Sequence, residues 1–232
     1  MKFLEIAPDV YQLRLRRANV TVLIGDEITV IDTGIPGSDK WIIKFLGQLG
    51  HSPDKVKQII ITHHHIDHIG GLAKLKKKTG ASVLAHRFDM PYINGEKRQP
   101  NPFYHGPMSF LLWPVTLIPS TRPAPVDIIL EEGDELNAAG RLKVIHLPGH
   151  TQGSIALFSE EKKILIAGDA LNRRGGKLSF PPRNFTFDPD QAKDSTKKIT
   201  GLEFDVLCFG HGKPLIQNAR EEVQNLLSNR GR

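Results

Sequence analysis

The feature that most constrains this chain is a dense group of metal-binding side chains in the stretch ITHHHIDHIGG at residues 61–71. Four histidines and one aspartate occupy the six positions from His63 to His68. Buried imidazole and carboxylate groups need partners, because burial removes their hydration. A metal ion satisfies several such groups at once, so the stretch predicts a metal site.

The residues before the cluster indicate how it is presented. The apolar run VKQIII predicts a buried strand that leads directly into the histidines. If the chain stays extended, side chains at alternate positions share a face. His63, His65 and Asp67 are then predicted to point into one cavity, with His68 at the turn into the next helix. His64 points the other way and is predicted not to bind metal.

Three later polar sites also follow predicted strands. HLPGHT supplies His146 and His150, AGDAL supplies Asp169, and FGHGKP supplies His211. A glycine adjoins the polar residue at each site, which fits a backbone that bends sharply or approaches another group closely. These sites are predicted to complete the metal centre.

The number of candidate ligands predicts two metal ions. A zinc ion that keeps a catalytic water takes three protein groups, so seven groups imply two ions and one shared group. A carboxylate can bridge two ions, so Asp169 is the predicted bridge, and Asp67 pairs with His68. Imidazoles and carboxylates suit zinc, iron and manganese, with zinc the default. The candidates are His63, His65, Asp67, His68, His150, Asp169 and His211.

The order of these motifs resembles a known family. T-H-x-H-x-D-H-x-G-G is followed by P-G-H-T, G-D and G-H-G, and the earlier VIDTG at 30–34 is similar to the first motif of the metallo-β-lactamase superfamily. The resemblance extends from about residue 18 to residue 214. It implies an α/β fold, a four-layer αββα sandwich in which two sheets pack face to face with helices outside and the metals lie at one edge.

The resemblance also implies how the ligands divide. It places Asp169 between the ions and gives Asp67 a role in passing a proton to the leaving group. Asp32 is similar to the family's supporting aspartate, which holds the ligand loop instead of binding metal. His146 is expected to be structural or to support a ligand. The implied ligands are His63, His65 and His150 for one ion and Asp67, His68 and His211 for the other.

Hydrolysis is the chemistry expected of such a centre. A metal pair lowers the pKa of a water held between the ions to about 7, and the hydroxide then attacks the carbonyl of an ester, thioester or lactone. The bridging Asp169 is unlike antibiotic-hydrolysing members and similar to the glyoxalase II and lactonase branches, although the chain ends soon after His211. An iron-dependent persulfide dioxygenase and a nucleic-acid phosphodiesterase stay open as alternatives.

Residues near the metal motifs are candidates for binding substrate. The loop 171–187 follows Asp169 directly and is expected to border the pocket. Asn172, where lactonases often carry a tyrosine, and Arg173 are the first candidates, since a guanidinium holds an anionic group well. An ordinary surface position is the alternative for Arg173. Further candidates are Arg174, Arg87 and Tyr92.

Composition limits the class of protein. A chain of 232 residues with 39% hydrophobic and 24% charged residues suits a single domain, 1–232, with a substantial core. The start MKFLEIAPDV has no basic region before an apolar run, and no run is long enough to span a bilayer, so neither a signal peptide nor a membrane partner is expected. Cys208 is the single cysteine, which predicts a core position and a cytoplasmic setting.

The charge of the chain bears on its partners. The net charge of +6 and pI of about 9.4 suit an anionic partner such as nucleic acid. The basic residues are scattered, however, and the densest run, at 74–78, is typical of a solvated helix face. A small-molecule substrate is therefore expected, nucleic acid is not favoured, and a homodimer stays open.

Apolar periodicity predicts sheets and helices in both halves of the chain. A proline-rich apolar insertion near 94–125 separates the halves, and seven of the sixteen prolines lie between residues 100 and 125. The predicted strands are 18–24, 27–32, 56–61, 81–85, 126–130, 141–147, 154–158, 163–167 and 205–209, and the predicted helices are 38–49, 71–79, 189–200 and 217–228.

Overall fold

β-Strands form the centre of the molecule. The computed structural model describes residues 2–100, 104–105, 121–138 and 140–228. The strands within those ranges are β1 Lys2–Ala7, β2 Val10–Arg14, β3 Asn19–Ile24, β4 Ile28–Ile31, β5 Val56–Ile61, β6 Ser82–His86, β7 Ile128–Leu130, β8 Glu135–Asn137, β9 Arg141–His146, β10 Ile155–Ser159, β11 Ile164–Ile166, β12 Asn172–Arg174, β13 Lys177–Ser179 and β14 Val206–Cys208.

The strands pair into two mixed sheets and a small hairpin. The first sheet holds β1 to β7 in sequential order, antiparallel from β1 to β4 and parallel from β4 to β7. The second has the order β14-β11-β10-β9-β8, with β11 and β14 parallel. The hairpin is β12-β13. Strands β4, β5 and β6 therefore end at the same side of the first sheet.

Helices cover the outer faces of the sheets, and the described residues also include three 3₁₀ segments. No helix in the described part of the chain is both long and apolar enough to cross a membrane. The helices are α1 Asp39–Gln48, α2 Ile66–Ile69, α3 Leu72–Thr79, α4 Met90–Ile93, α5 Pro189–Ser195 and α6 Ala219–Ser228, and the 3₁₀ segments are Pro53–Lys55, Arg183–Phe185 and Thr196–Gly201.

Strand β5 shows why the fold has four layers. Ile59 and Ile61 pack with Phe45 and Leu72 of the helices on the outer face, whereas Ile60 packs between the two sheets. Both faces of the strand are buried, which explains its unbroken apolar sequence. A third cluster packs the second sheet against α6, through Val223 among others. The layers are thus helix, sheet, sheet, helix, and the predicted αββα fold is confirmed.

The predicted elements differ from the observed ones at specific places. Strands β1 and β2 were not predicted, and 189–200 divides into α5 and a 3₁₀ segment. The hydroxyls of Ser195 and Thr196 bond back to the Ala192 carbonyl at 3.1 and 2.7 Å, which weakens an α-helix at that point. Residues 101–103 and 106–120 of the predicted insertion lie outside the described residues.

Candidate metal centre

Strand ends bring the polar residues together at one side of the sandwich. Asp32 follows β4, and the cluster that begins with His63 follows β5. On the second sheet His150, Asp169 and His211 follow β9, β11 and β14. Because these strands end on the same side, side chains far apart in sequence meet across the two sheets.

The ligand loop itself differs from the extended chain that was predicted. His65 is still extended, with φ −62° and ψ 149°, and precedes α2. Asp67 and His68 project from this single helical turn rather than from a continued strand. The backbone N–H and hydroxyl of Thr33 both donate to the His68 carbonyl, at 2.7 and 2.8 Å, and so support the end of the turn.

The seven candidate ligands gather into three overlapping groups. Within each group the nitrogen or oxygen atoms that could bind a metal all lie within 4.8 Å of one another. Two of the groups divide the histidines as the family resemblance implies, and the third contains Asp169. The groups are His63, His65 and His150; Asp67, His68 and His211; and His63, His68 and Asp169.

Asp169 lies between the group of His63, His65 and His150 and the group of Asp67, His68 and His211. Its Oδ1 is 3.6 Å from His68 Nε2. Its Oδ2 is 3.6 Å from His150 Nε2 and 3.1 Å from His211 Nε2. One buried carboxylate thus faces both halves of the cluster, which is the geometry required of a bridging ligand.

Outer hydrogen bonds orient the histidine rings. The Thr62 hydroxyl donates to Asp32, so it accepts from His63 Nδ1 at 3.1 Å. The Thr186 hydroxyl donates to the Pro182 carbonyl, so it accepts from His150 Nδ1 at 3.3 Å. In both rings the proton is therefore on Nδ1, and the Nε2 lone pair is left for the cluster.

Two further rings follow the same rule. His68 Nδ1 donates to Asp32 Oδ2 at 2.8 Å, and His211 Nδ1 donates to the Arg17 carbonyl at 2.7 Å. Within the described residues, Nε2 of His63, His68 and His150 and Oδ1 of Asp169 are buried without a hydrogen-bond partner. Buried donor atoms without hydrogen-bond partners fit a metal centre, because bound cations would satisfy them.

His65 is oriented in the opposite sense. Its Nε2 lies 3.5 Å from the Tyr104 hydroxyl, so its Nδ1 is the atom left for the cluster. Tyr104 belongs to residues 104–105, one of three described parts of the predicted insertion near 94–125. Burial raises the pKa of its phenol, so the hydroxyl keeps its proton at neutral pH.

Asp32 ties the ligand loop together. Its Oδ1 accepts from the Thr62 backbone N–H, and its Oδ2 accepts from the Thr62 hydroxyl and His68 Nδ1, each at 2.8 Å. Its backbone has φ 61°, in the left-handed region that few non-glycine residues adopt. Asp32 thus holds the candidate ligand His68 by a hydrogen bond, and it belongs to none of the three groups itself.

Charge is distributed unevenly among the rings of the metal-free protein. Burial lowers the pKa of His63 and His65, and neighbouring imidazoles lower it further, so both rings are neutral. Burial also lowers the pKa of His68, but Asp32 and Asp169 outweigh it and raise that pKa to about 10. A proton on His68 therefore offsets the two carboxylates, and a metal ion would have to displace it.

Two glycines are required by close approach. A Cβ at Gly210 would lie 2.0 Å from Asp169 Oδ1 and 2.6 Å from His68 Cε1. At Gly149, where φ is +132°, a Cβ would lie 2.1 Å from the backbone nitrogen of Ala192. The glycines beside His211 and His150 thus permit the backbone to reach the cluster.

His64 points away from the candidate ligand atoms, although its ring meets that of His65 edge to face with 5.1 Å between centroids. Its ring stacks on Tyr92 with 4.4 Å between centroids, and its Nδ1 is 2.8 Å from Gln99 Oε1. It belongs to none of the three groups. This placement agrees with its predicted exclusion from metal binding.

We expect His64→Ala to keep its metal content and its activity within about threefold of wild type while losing roughly 1–3 kcal/mol of stability. The stability falls because the buried ring gives up its stacking and hydrogen bond. Elemental analysis, kinetics and thermal unfolding beside His65→Ala would measure this. A His64 variant without activity but with normal metal content would contradict it.

The remaining predicted residues have varied surroundings. His146 stacks on His86 at 3.9 Å between centroids, away from the three groups. Arg87 forms an ion pair with Glu131 on the surface. Cys208 is buried between the sheets as predicted, and burial raises the pKa of its thiol. It is therefore poorly suited to be a nucleophile.

The loop 171–187, which follows Asp169, contacts the cluster near the C-terminal end of the loop. Asn172 is buried, and neither side-chain amide atom has a hydrogen-bond partner among the described residues. The Arg173 guanidinium donates to the carbonyls of Gly176 and Pro214, both at 3.2 Å. Thr186 reaches His150, so this loop borders the site as predicted.

Sequence reasoning missed Asp89, which links two ligand loops. Its carboxylate accepts from the His64 backbone N–H, the Thr151 hydroxyl and the Gly153 backbone N–H, each at 2.8 Å. It is the first acidic residue after β6, but nothing in its local sequence sets it apart. Only the position of β6 beside β5 could have indicated it.

The family model of the metallo-beta-lactamase superfamily matches residues 13–211 of the chain. The chain belongs to this superfamily. The match begins in β2, ends at His211 and includes every candidate ligand. The predicted family is thereby confirmed.

Curated members of the superfamily resemble the chain over most of its length. The probable metallo-hydrolase YflN of Bacillus subtilis is 31% identical, over 96% of this chain and 91% of that protein. A hydroxyacylglutathione hydrolase of Pseudomonas syringae is 32% identical, over 85% of this chain but only 61% of that protein. The chain is therefore a metallo-hydrolase relative that spans about three-fifths of the latter enzyme.

Solved structures share the superfamily fold. The metallo-beta-lactamase GOB-18 of Elizabethkingia meningoseptica superposes with a TM-score of 0.74 at 19% identity, over 99% of this chain and 89% of that one. A metallo-beta-lactamase family protein of Thermus thermophilus gives 0.73 at 24% identity, over 97% and 80%. At these identities the likeness concerns the fold alone.

Proposed function

We propose that the protein is a metal-dependent hydrolase that cleaves an ester, thioester or lactone at a centre of two divalent metal ions, most simply zinc. The convergence of two ligand groups on the shared Asp169 supports two ions. The similarity to hydroxyacylglutathione hydrolases supports an acyl substrate. Iron and manganese suit the same ligands.

The proposed ligands would hold one ion in the group that contains His65 and one in the group that contains His211. Bound ions would lower the pKa of a water molecule and polarise the carbonyl group of the substrate. Asp169 would contact both ions, and Asp32 would hold His68 in place. The ligands are His63, His65 and His150 for one ion and Asp67, His68 and His211 for the other, with Asp169 shared.

Asp67 is the residue best placed to move a proton. Its side chain is 26% exposed, against 6% for Asp169, so it faces the open side of the centre. Its Oδ2 lies 3.4 Å from His211 Nε2. A carboxylate at this position would take a proton from the attacking water and deliver it to the leaving group.

An aromatic pair flanks the first ligand group. The rings of Tyr104 and Phe187 meet edge to face with 5.7 Å between centroids. Tyr104 approaches His65, and the Phe187 backbone N–H donates to the His150 carbonyl at 3.1 Å. Phe187 is 47% exposed, so this pair offers an apolar wall beside the centre for the acyl part of a substrate.

Tyr104→Phe should keep this wall and remove the hydroxyl beside His65. We expect kcat/KM to fall about tenfold, because losing a hydrogen-bond partner of a metal-binding histidine usually lowers metal affinity or activity by about that factor or more. Tyr11→Phe, which changes a tyrosine packed on Phe45 far from the centre, is the matched control. Equal kinetics in both variants would remove Tyr104 from the proposal.

A substrate panel with metal analysis tests the function. The protein would be purified after growth with zinc, iron or manganese and assayed with esters, thioesters, lactones, phosphodiesters and a persulfide. We expect about two ions per chain and turnover of an acyl compound. A chelator should abolish this turnover, and added metal should restore it.

Other outcomes of this test would identify the alternatives. One iron per chain with oxygen consumption in the presence of the persulfide would replace hydrolysis by oxidation. Turnover of phosphodiesters alone would indicate a nuclease. Either result would contradict the proposed acyl hydrolase.

A further inference from the structure

Among the proposed ligands, His211 has the loop most in need of support. It stands between two glycines in the sequence FGHGKP, and Gly212 has φ +102°. Glycines give a chain many alternative conformations, which must be given up when the loop is fixed. The His211 side chain is also 23% exposed, whereas those of His68 and His150 are almost fully buried. Packing alone does little to hold this ring.

Asn19 supplies much of this support, beside a longer bond of 3.3 Å from Gln12 Nε2 to the Phe209 carbonyl. Its side-chain Nδ2 donates one hydrogen bond to the Phe209 carbonyl at 2.9 Å and another to the Gly212 carbonyl at 2.8 Å. Its backbone N–H donates to the Gly210 carbonyl at 2.7 Å. One residue thus binds the three carbonyls that surround His211.

These bonds join distant parts of the fold. Asn19 begins β3 in the first sheet, and the loop 209–212 follows β14 in the second sheet. Two residues earlier, the Arg17 carbonyl accepts from His211 Nδ1 at 2.7 Å. The segment 17–19 therefore holds both the backbone and the ring of His211, while Asn19 itself is 7% exposed.

Given the two-metal centre proposed above, we propose that Asn19 is a positioning residue for one metal ion only, the ion bound by Asp67, His68 and His211. The group of His63, His65 and His150 contains no residue of the loop that Asn19 holds. Its histidines are oriented by Thr62, Thr186 and Tyr104 instead. Loss of the Asn19 amide should therefore lower the affinity for the ion at Asp67, His68 and His211 and leave the affinity for the other ion nearly unchanged.

Asn19→Asp is the sharpest variant. Aspartate has nearly the same shape, but a carboxylate has no N–H to donate and would set its charge against two carbonyl oxygens. The backbone bond to Gly210 is retained. Asn19→Ala removes the bonds without this repulsion and serves as the second variant if the first does not fold. Thr21→Val alters another buried polar side chain of β3 and is the control.

Zinc titration against a chromophoric chelator measures the two affinities in the purified full chain. In both Asn19 variants we expect one of the two ions to bind within about twofold of wild type and the other at least about tenfold more weakly. His211→Ala should show the same selective loss more strongly, and Thr21→Val should match wild type. Equal weakening of both ions, or no weakening, would overturn the role of Asn19.

Hydrogen exchange of the metal-free proteins gives a second readout that does not depend on activity. Amides of residues 209–212 should exchange faster in the Asn19 variants than in wild type or Thr21→Val, and unchanged exchange would overturn the proposal. If wild type itself binds a single ion, the two-metal centre fails. If wild type binds two ions and Asn19→Asp behaves identically, only the inference about Asn19 fails.

Discussion

Asp169→Ala should lose both metal ions and reduce kcat/KM by about a thousandfold or more. Asp169 is the one carboxylate that faces His68, His150 and His211 at 3.1 to 3.6 Å. Without it the two ions lose their shared ligand. The transition state then loses several kcal/mol of stabilisation by the metals, and each 1.36 kcal/mol corresponds to about a tenfold change in rate.

Asp169→Asn tests whether the negative charge of Asp169, rather than the shape of its side chain, is what retains the metal ions. It keeps the size of the side chain but removes the negative charge, so it should also retain little metal. Asp205→Asn, an exposed aspartate beside β14, is the matched control and should behave like wild type. Elemental analysis, kinetics and thermal unfolding would be compared. A folded Asp169→Ala protein that kept two ions would refute the bridging assignment.

Asp32→Asn should weaken metal binding by about 10–100-fold without removing any ligand. Asn tolerates the left-handed backbone found at this position, so the loop is expected to keep its path. An amide has a single acceptor oxygen and no charge, so it cannot serve Thr62 and His68 as the carboxylate does. Loss of outer hydrogen bonds to a ligand typically costs that much affinity.

Asp32→Ala should be worse than Asp32→Asn, because it also leaves Thr62 and His68 with unpaired buried donors. Each such donor costs about 1–3 kcal/mol of stability. Asp26→Ala, an exposed aspartate in the turn after β3, controls for the loss of a carboxylate. Metal affinity and the midpoint of thermal unfolding measure the two effects. Asp32 variants with wild-type metal affinity would show that the contact with His68 is not needed.

The local sequence was a good guide wherever a pattern repeats within a few residues. The run VKQIII predicted a strand because both of its faces are buried, and β5 is that strand. The alternation of side chains also predicted that His64 would not join His63 and His65 as a ligand, and it belongs to none of the three groups. The same pattern did not predict α2, because the turn depends on Thr33, which comes from a distant loop.

Glycines illustrate the limit of local patterns. A helix was predicted over 71–79, and α3 begins directly after Gly70 and Gly71. Glycine is needed at both positions because residues distant in sequence pack against them. A Cβ at Gly70 would lie 2.4 Å from Pro36, and one at Gly71 would lie 2.5 Å from the Thr33 carbonyl. A sequence shows that glycine is present but not which backbone approaches it.

By itself the sequence determined the order of the metal motifs, because these are residue types at fixed short spacings. The family resemblance that the motifs carry then implied the layered fold. Only the tertiary structure decided which ring nitrogen each histidine offers. That choice depends on Thr62, Thr186, Tyr104 and the Arg17 carbonyl, and three of these partners lie more than thirty residues from the ring they orient. Hydrogen bonds between chain segments form only when the sheets bring those segments together, so no local pattern encodes them.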